Sequence, residues 1–569
     1  MLSSVILINF ALACLICAHN LFANKFALQA TICYLCSLIR KQMAQAKAIR
    51  YPIGIQSFRS IIEDCWLYVD KTDLIHQIAC NYKYVFLSRP RRFGKSLTAS
   101  TFASYFRGEK ELFKGLAAER LVDEWISFPV FYFDLSTTKD KTISQFQTEL
   151  YSQLSRYTEL YGPTSDNASP GTCLKELMLN AHKRCNQKPV IIIDEYDAPL
   201  LNNLCKEDNL EDIHRVLMDF FSPIKSCEEI LRFVFITGIT KFSQLSIFST
   251  LNNLVNISMM PEYAALCGIT HAEMVANFKE GIAEMARRNM LTQKQTLSKL
   301  KEFYEGYRFS KKAVSVYNPF SLVTALEQKE FGAHWFSTGT PTYLLEQINR
   351  FDIDIESLDD CHAEAVEFDA PTQAINSALP MLYQCGYVTI IDYCRETNAY
   401  RLGIPNKEVR LGLFRLLLPY YTGVNTQHNS SLVVRFTQAV VRNDIEKALQ
   451  EMQTFLASLP YDHHEKNPNY KEKHYHTMFY ILFTMFGANM RSEVKTAIGR
   501  IDAVLETKKA VYVFELKLDS SAEVAINQIE NKEYLKPYIR TGKRLFMAGV
   551  NFSTERRTLT EWIIKEFIN

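Results

Sequence analysis

From Tyr84 onward, short apolar runs alternate with longer stretches whose apolar residues recur at helical spacing. The pattern predicts strands at 84–88, 129–135, 189–194 and 232–237. Between them it predicts helices at 96–107, over about 141–185 and at 210–221. Alternation of this kind means a parallel sheet covered by helices on both faces. Val190-Ile191-Ile192-Ile193 fits that reading, because a row of β-branched residues suits a strand buried on both sides. Residues 260–345 lack strand alternation and read as mostly helical. Further on, Ile445, Leu449, Met452, Leu456 and Leu459 step by helical intervals, and Thr477 to Phe486 reads as another helix. The chain between them, from Pro460 to Tyr470, reads as a break. Near the end, residues 499–505 and 511–517 form two strand-like runs around Lys508 and Lys509, which is a hairpin. A turn centred between those lysines sets Asp502 opposite Glu515.

Chemistry sharpens the first of these elements. Between strand 84–88 and the next helix runs Ser88-Arg89-Pro90-Arg91-Arg92-Phe93-Gly94-Lys95-Ser96. A phosphate-binding loop needs unpaired N–H groups at a helix start, a lysine for the outer phosphates and a hydroxyl for Mg²⁺, and Gly94, Lys95 and Ser96 meet those needs. The general pattern has glycine where Arg89 stands, and a bare Gly-Lys-Ser also arises in ordinary solvated loops. The second half of such a site is an apolar strand ending in a carboxylate. Asp194 would hold Mg²⁺ and Glu195 would polarise the attacking water. Thr237 ends the following strand, where a hydroxyl could sense the outermost phosphate, with Thr240 and Lys241 close behind.

A second constellation lies in the hairpin. Side chains alternate along a strand, so Glu515 and Lys517 share a face and Asp502 joins them from across the turn. Two carboxylates can hold Mg²⁺ and a lysine can orient a nucleophile, which is phosphodiester hydrolysis chemistry. The plainer reading is a solvated charged face on a sheet. Glu493, on the run before, is a further candidate ligand.

The runs RPRRFGKS, IIIDEYDAP and Phe235-Ile236-Thr237-Gly238-Ile239-Thr240-Lys241-Phe242 resemble the bacterial AAA-ATPase-like proteins that carry a PD-(D/E)XK nuclease-like domain. The resemblance covers about Tyr51 to Tyr538, and Arg89 fits it although it departs from the general motif. It implies ATP with Mg²⁺, DNA as the nucleic-acid partner, and Asp502, Glu515 and Lys517 as the residues of the nuclease pattern. Gln528 and Tyr534 resemble that family's partner positions. Tyr304-Glu305-Gly306-Tyr307, Tyr317-Asn318-Pro319-Phe320, Trp335-Phe336 and Asn406-Lys407-Glu408-Val409 resemble further family segments, and the aromatic ones read as packing. The implied fold is α/β. A P-loop NTPase parallel sheet at 51–259 is followed by a helical lid at 260–345, a connector and helical region at 346–464, and a restriction-endonuclease-like domain at 465–569.

Composition narrows this only a little. Of 569 residues, 64 are basic and 62 acidic, so no global field draws the chain to nucleic acid and any DNA contact must be local. Fourteen cysteines without a regular framework suggest reduced thiols and a cytoplasmic protein. The pairs Cys14/Cys17 and Cys33/Cys36 have zinc-site spacing but lie in apolar runs without turn formers. In the apolar N-terminal segment at 1–50, residues 1–24 carry no Lys, Arg, Asp or Glu and Val5 to Ala23 is just long enough to span a bilayer, which leaves two expectations: a membrane tether through residues 1–42, or an over-long start upstream of Met43. A homo-oligomer is left open, since an arginine finger from a neighbouring subunit cannot be picked out. The leading functional expectation is an ATPase coupled to a Mg²⁺-dependent nuclease. The rival is an ATP-driven switch whose last domain binds nucleic acid or protein without cutting.

Overall fold

The computed structural model describes residues 50–568 apart from 139–141, 202–206, 241–252, 339–354, 365–366, 369–378, 423–425, 458–476, 485–488, 497–498, 508 and 557. The apolar start with its cysteine pairs, the break at 460–470 and Lys241 lie outside the described residues. Among the described residues no helix is long and apolar enough to cross a membrane.

Five strands, β1 (Tyr84–Ser88), β2 (Val130–Asp134), β3 (Val190–Asp194), β4 (Phe233–Gly238) and β5 (Val255–Asn256), form one all-parallel sheet. Its order is β2-β3-β4-β1-β5. The resemblance implies an AAA-type order with an additional strand between the two motif strands, and β4 occupies that place between β1 and β3, while strand 130–133, which intervenes along the chain, forms the edge. Both faces are apolar because both are covered. Val85, Leu87, Ile192, Phe233 and Phe235 face one side with α1 (Lys95–Phe106). Phe86, Phe131, Ile191, Ile193, Val234 and Ile236 face the other, under α2 (Ile143–Tyr161), α3 (Pro170–Cys185) and α4 (Glu207–Ser226).

Four helices follow: α5 (His271–Asn277), α6 (Lys279–Arg288), α7 (Gln293–Tyr304) and α8 (Pro319–Gln328). A short antiparallel pair, β6 (Ile269–Thr270) with β7 (Val316–Tyr317), ties them together. The connector that follows has a sheet of its own. β8 (Cys361–Glu364), β9 (Thr389–Cys394) and β10 (Ala399–Gly403) pair antiparallel in the order β8-β10-β9. Three helices come next: α9 (Lys407–Thr422), α10 (Thr426–Val441) and α11 (Ile445–Ala457). In α11 the expected stripe of Ile445, Leu449, Met452 and Leu456 is buried.

The last module is a mixed sheet in the order β11-β12-β13-β14-β15. It comprises β11 (Asn489–Thr496), β12 (Gly499–Glu506), β13 (Ala510–Leu518), β14 (Arg544–Ser553) and β15 (Thr558–Phe567). Only β13 and β14 run parallel, joined by a crossover that contains α12 (Ala522–Asn531). Val511 and Val513 pack with Ile526 and Ile529 of α12. On the opposite face, Phe514 meets Phe479 and Phe483 of the helical residues 477–484.

Candidate active sites

The first candidate site stands at the carboxyl ends of β1, β3 and β4, where the parallel sheet directs its loops. Gly94 precedes α1 with φ +92°, a left-handed value that glycine adopts without a Cβ penalty. Lys95 follows, 4% exposed, and its Nζ donates to the Pro90 carbonyl (3.1 Å) across the loop. Asp194 is buried at the end of β3, and Tyr132 Oη donates to its Oδ2 (3.4 Å). Burial pushes the Asp194 carboxyl up to about 6, with Glu195 and Asp134 adding to the rise. The Ser96 hydroxyl and the Lys95 charge pull the other way.

Arg89, where the general motif has glycine, is 2% exposed. Its guanidinium donates to the carbonyls of Ser88 (2.9 Å), Ser258 (2.7 Å) and Tyr263 (3.3 Å) and lies 4.1 Å over the Phe309 ring. It is therefore a strut behind the loop, clamping β1 to the chain after β5. Asp197, three residues beyond Asp194, is fully buried. Its Oδ2 accepts from the N–H groups of Ile239 (2.9 Å) and Thr240 (2.7 Å) and from Thr240 Oγ1 (2.8 Å). That carboxylate fixes the end of β3 against the end of β4. Glu195, between Asp194 and this anchor, takes a left-handed φ of +50°. Thr237 is buried opposite Leu87, and its hydroxyl meets no partner among the described residues.

The aromatic segments read as packing do pack, and part of what they pack against is the phosphate loop. Phe93 meets Tyr307 (4.7 Å) and Phe309 (5.4 Å) edge-on. Arg92 lies 3.8 Å over Phe320 and donates to the His334 carbonyl (3.4 Å). Trp335 Nε1–H donates to the Arg91 carbonyl (3.3 Å). At the connector's Gly386 (φ +88°) a Cβ would stand 2.8 Å from Pro90 Cβ, so the chain passes tightly over the loop.

The second candidate site is the hairpin of β12 and β13. Ala503 pairs with Phe514 and Val504 with Val513, the register expected from the turn. At the next position the carboxylate intervenes, and Asp502 Oδ2 accepts the backbone N–H of Leu516 (2.7 Å). Glu515 and Lys517 share a face as expected, but that face is partly covered, with Glu515 buried and Lys517 half-buried. Covered by α12, Glu515 is 1% exposed. Lys517 Nζ bridges Glu515 Oε1 (2.9 Å) and Gln528 Oε1 (2.8 Å). Gln528 therefore joins the site. Tyr534 does not: its Oη donates to the Arg500 carbonyl (2.9 Å), holding the strand that carries Asp502. Pairing of Ser492 with Ala503 and Val494 with Ile501 sets position 493 across from 502. Among the described residues no three His, Cys, Asp or Glu side chains cluster as a metal site.

Two family models match the chain. Residues 52–248 are similar to a family described as predicted AAA-ATPase, and residues 470–562 to the PD-(D/E)XK nuclease superfamily. Over 526 residues the chain is 31% identical to the "Uncharacterized protein in vnfD 5'region" of Azotobacter chroococcum mcd 1. That alignment covers 91% of this chain and 99% of the relative.

Proposed function

Given that the chain belongs to the family of predicted AAA-ATPases with a PD-(D/E)XK nuclease-superfamily domain, we propose that it binds and hydrolyses ATP and couples this to Mg²⁺-dependent cleavage of DNA. The two domain likenesses support ATPase and nuclease potential.

Mg²⁺ fits the first site by the chemistry of its donors. The Ser96 hydroxyl lies against the Asp194 carboxylate, whose ionisation is costly until a cation stands beside it. Lys95 exchanges the Pro90 carbonyl for the outer phosphates of the nucleotide, and α1 presents its N-terminal N–H groups to them. Glu195 orients the attacking water, and Thr237 offers its buried hydroxyl to the terminal phosphate.

At the second site Asp502 and Glu515 supply the carboxylates for Mg²⁺, which when bound stabilises phosphate charge and makes a water more acidic. Lys517, held by Gln528, orients the nucleophile. The observation that carries the reading is this Lys517 bridge beside Asp502, because an ordinary charged sheet face would leave the three side chains in solvent.

The test is cleavage of linear, circular and single-stranded DNA with Mg²⁺, with and without ATP, by wild type, Lys95→Ala and Glu515→Ala. Cutting lost in Glu515→Ala, and altered by ATP only when Lys95 is present, supports the coupled enzyme. ATP turnover without cutting of any substrate moves the reading to a binding switch.

A further inference from the structure

Helix α9 has two working faces. On a helix, residues four apart share a face, while residues two apart point about 200° away from each other. Glu408 and Gly412 form one such pair, Arg410 and Phe414 the other.

The first pair meets the segment that touches the phosphate loop. Glu408 is buried, and its Oε1 accepts the Trp335 backbone N–H (2.8 Å). A Cβ at Gly412 would run into the Phe336 ring, so only glycine lets that ring reach the helix. Trp335 in turn donates to the Arg91 carbonyl of the loop and packs on Tyr387 (5.2 Å), next to the tight passage of Gly386 over Pro90.

The second pair meets the nuclease side. Arg410 grips Asp359 through both guanidinium NH groups, and Tyr480 Oη donates to Asp359 Oδ2 (2.7 Å). Phe414 packs edge-on against Tyr480 (5.6 Å). Tyr480 lies in the helical residues 477–484, whose Phe479 (5.2 Å) and Phe483 (5.5 Å) bear on Phe514, the neighbour of Glu515.

We propose that α9 is the strut through which occupancy of the phosphate loop reaches the cutting strand. Trp335 and Glu408 are positioning residues at the receiving end, and Arg410, Asp359 and Tyr480 at the delivering end. The inference rests on the reading that ATP binds the loop and that Glu515 belongs to a nuclease. A loop that takes up phosphates moves the Arg91 carbonyl and with it Trp335. The bidentate Arg410–Asp359 pair admits one geometry, unlike an oily contact, so the helix delivers that shift to Tyr480 rather than sliding past it.

The experiment uses the full chain with Tyr480→Phe, which keeps the ring, and Arg410→Lys, which breaks the fork. Hydrogen exchange of α1, residues 477–484 and β13 is followed with and without ATP·Mg²⁺, beside ATP turnover, DNA cleavage and melting temperature. In wild type, ATP protects α1 and changes exchange at 477–484 and β13. Both variants retain ATP turnover within about twofold. Their β13 no longer responds, and the ratio of cleavage with ATP to cleavage without it falls by about fivefold or more. A merely structural role would lower the melting temperature and leave that ratio unchanged.

Variants that respond like wild type overturn the strut, as does a wild-type β13 indifferent to bound ATP. No protection of α1 by ATP defeats the ATPase reading and the strut with it. A responding β13 without any cutting supports the strut and defeats the nuclease reading alone.

Discussion

Arg89 shows how a departure from a motif becomes a structural requirement. The general phosphate-loop pattern would have glycine there, yet this guanidinium satisfies one part-buried and two buried carbonyls and stacks on Phe309. Arg89→Gly, which restores the general pattern, is expected to destabilise the protein by roughly 3–5 kcal/mol by leaving those carbonyls unpaired above a cavity. Denaturant unfolding measures this, and an unchanged midpoint refutes it. Glu408 offers a pH signature. Burial pushes its carboxyl up to about 7 from 4.5, against the pull of the Trp335 and His334 N–H groups, the Ser321 hydroxyl and Arg92. The folded chain holds a proton that the unfolded chain has lost between those values. This contribution to stability is thus full below about 4.5 and falls as the pH rises towards 7. Glu408→Gln removes the loss. Its melting temperature should match wild type near pH 4.5 and exceed it at pH 8, by an amount equivalent to roughly 1–3 kcal/mol. Lys95, Ser96, Asp194, Glu515 and Lys517 were legible in the sequence because the chemistry that marks them sits within a few neighbouring residues. Arg89, Asp197 and Glu408 were not, because their partners come from distant parts of the chain.

Among the elements, the hairpin register was legible because the turn sets the pairing and the period of two sets the faces. The arithmetic assumes that the backbone ladder continues, however, and at Asp502 a carboxylate takes the Leu516 N–H in its place. This separates two substitutions. Asp502→Ala leaves that N–H unpaired in a part-buried place and should cost about 1–3 kcal/mol as well as nuclease activity. Asp502→Asn keeps an acceptor and should lose activity at near wild-type stability. Thermal melts beside cleavage assays distinguish them, and equal melting temperatures for the two variants would refute the bond. The buried cover over Glu515 was hidden for a related reason: apolar alternation cannot tell a sheet with one covered face from a sheet with two. The position of β2 was hidden too, since order along the chain does not reveal which strand a crossover carries to the edge.

Across the whole molecule, a single apolar cluster runs from Leu87 and Phe235 of the first sheet through Trp335, Tyr387 and Leu413 to Phe514 and Phe552 of the last. Cooperative unfolding of both modules is the expected consequence. Calorimetry should show one main transition, raised by ATP·Mg²⁺ by about 2.7 kcal/mol at a hundredfold excess over the dissociation constant. Two well-separated transitions, only the first of them moved by nucleotide, would contradict it. The order of the first sheet also sets a timetable during synthesis. Tyr84 finds its partner in Val234, and Val85 its other neighbour in Val255, so the strand leading into the phosphate loop is made early and flanked late. At ribosomal speeds of about 5–20 residues per second, that strand waits roughly 8–30 s for its neighbours. The hairpin with Asp502 and Glu515 emerges only afterwards, so each newly made chain has all the strands of the sheet that carries the phosphate loop before the ribosome supplies the proposed nuclease site.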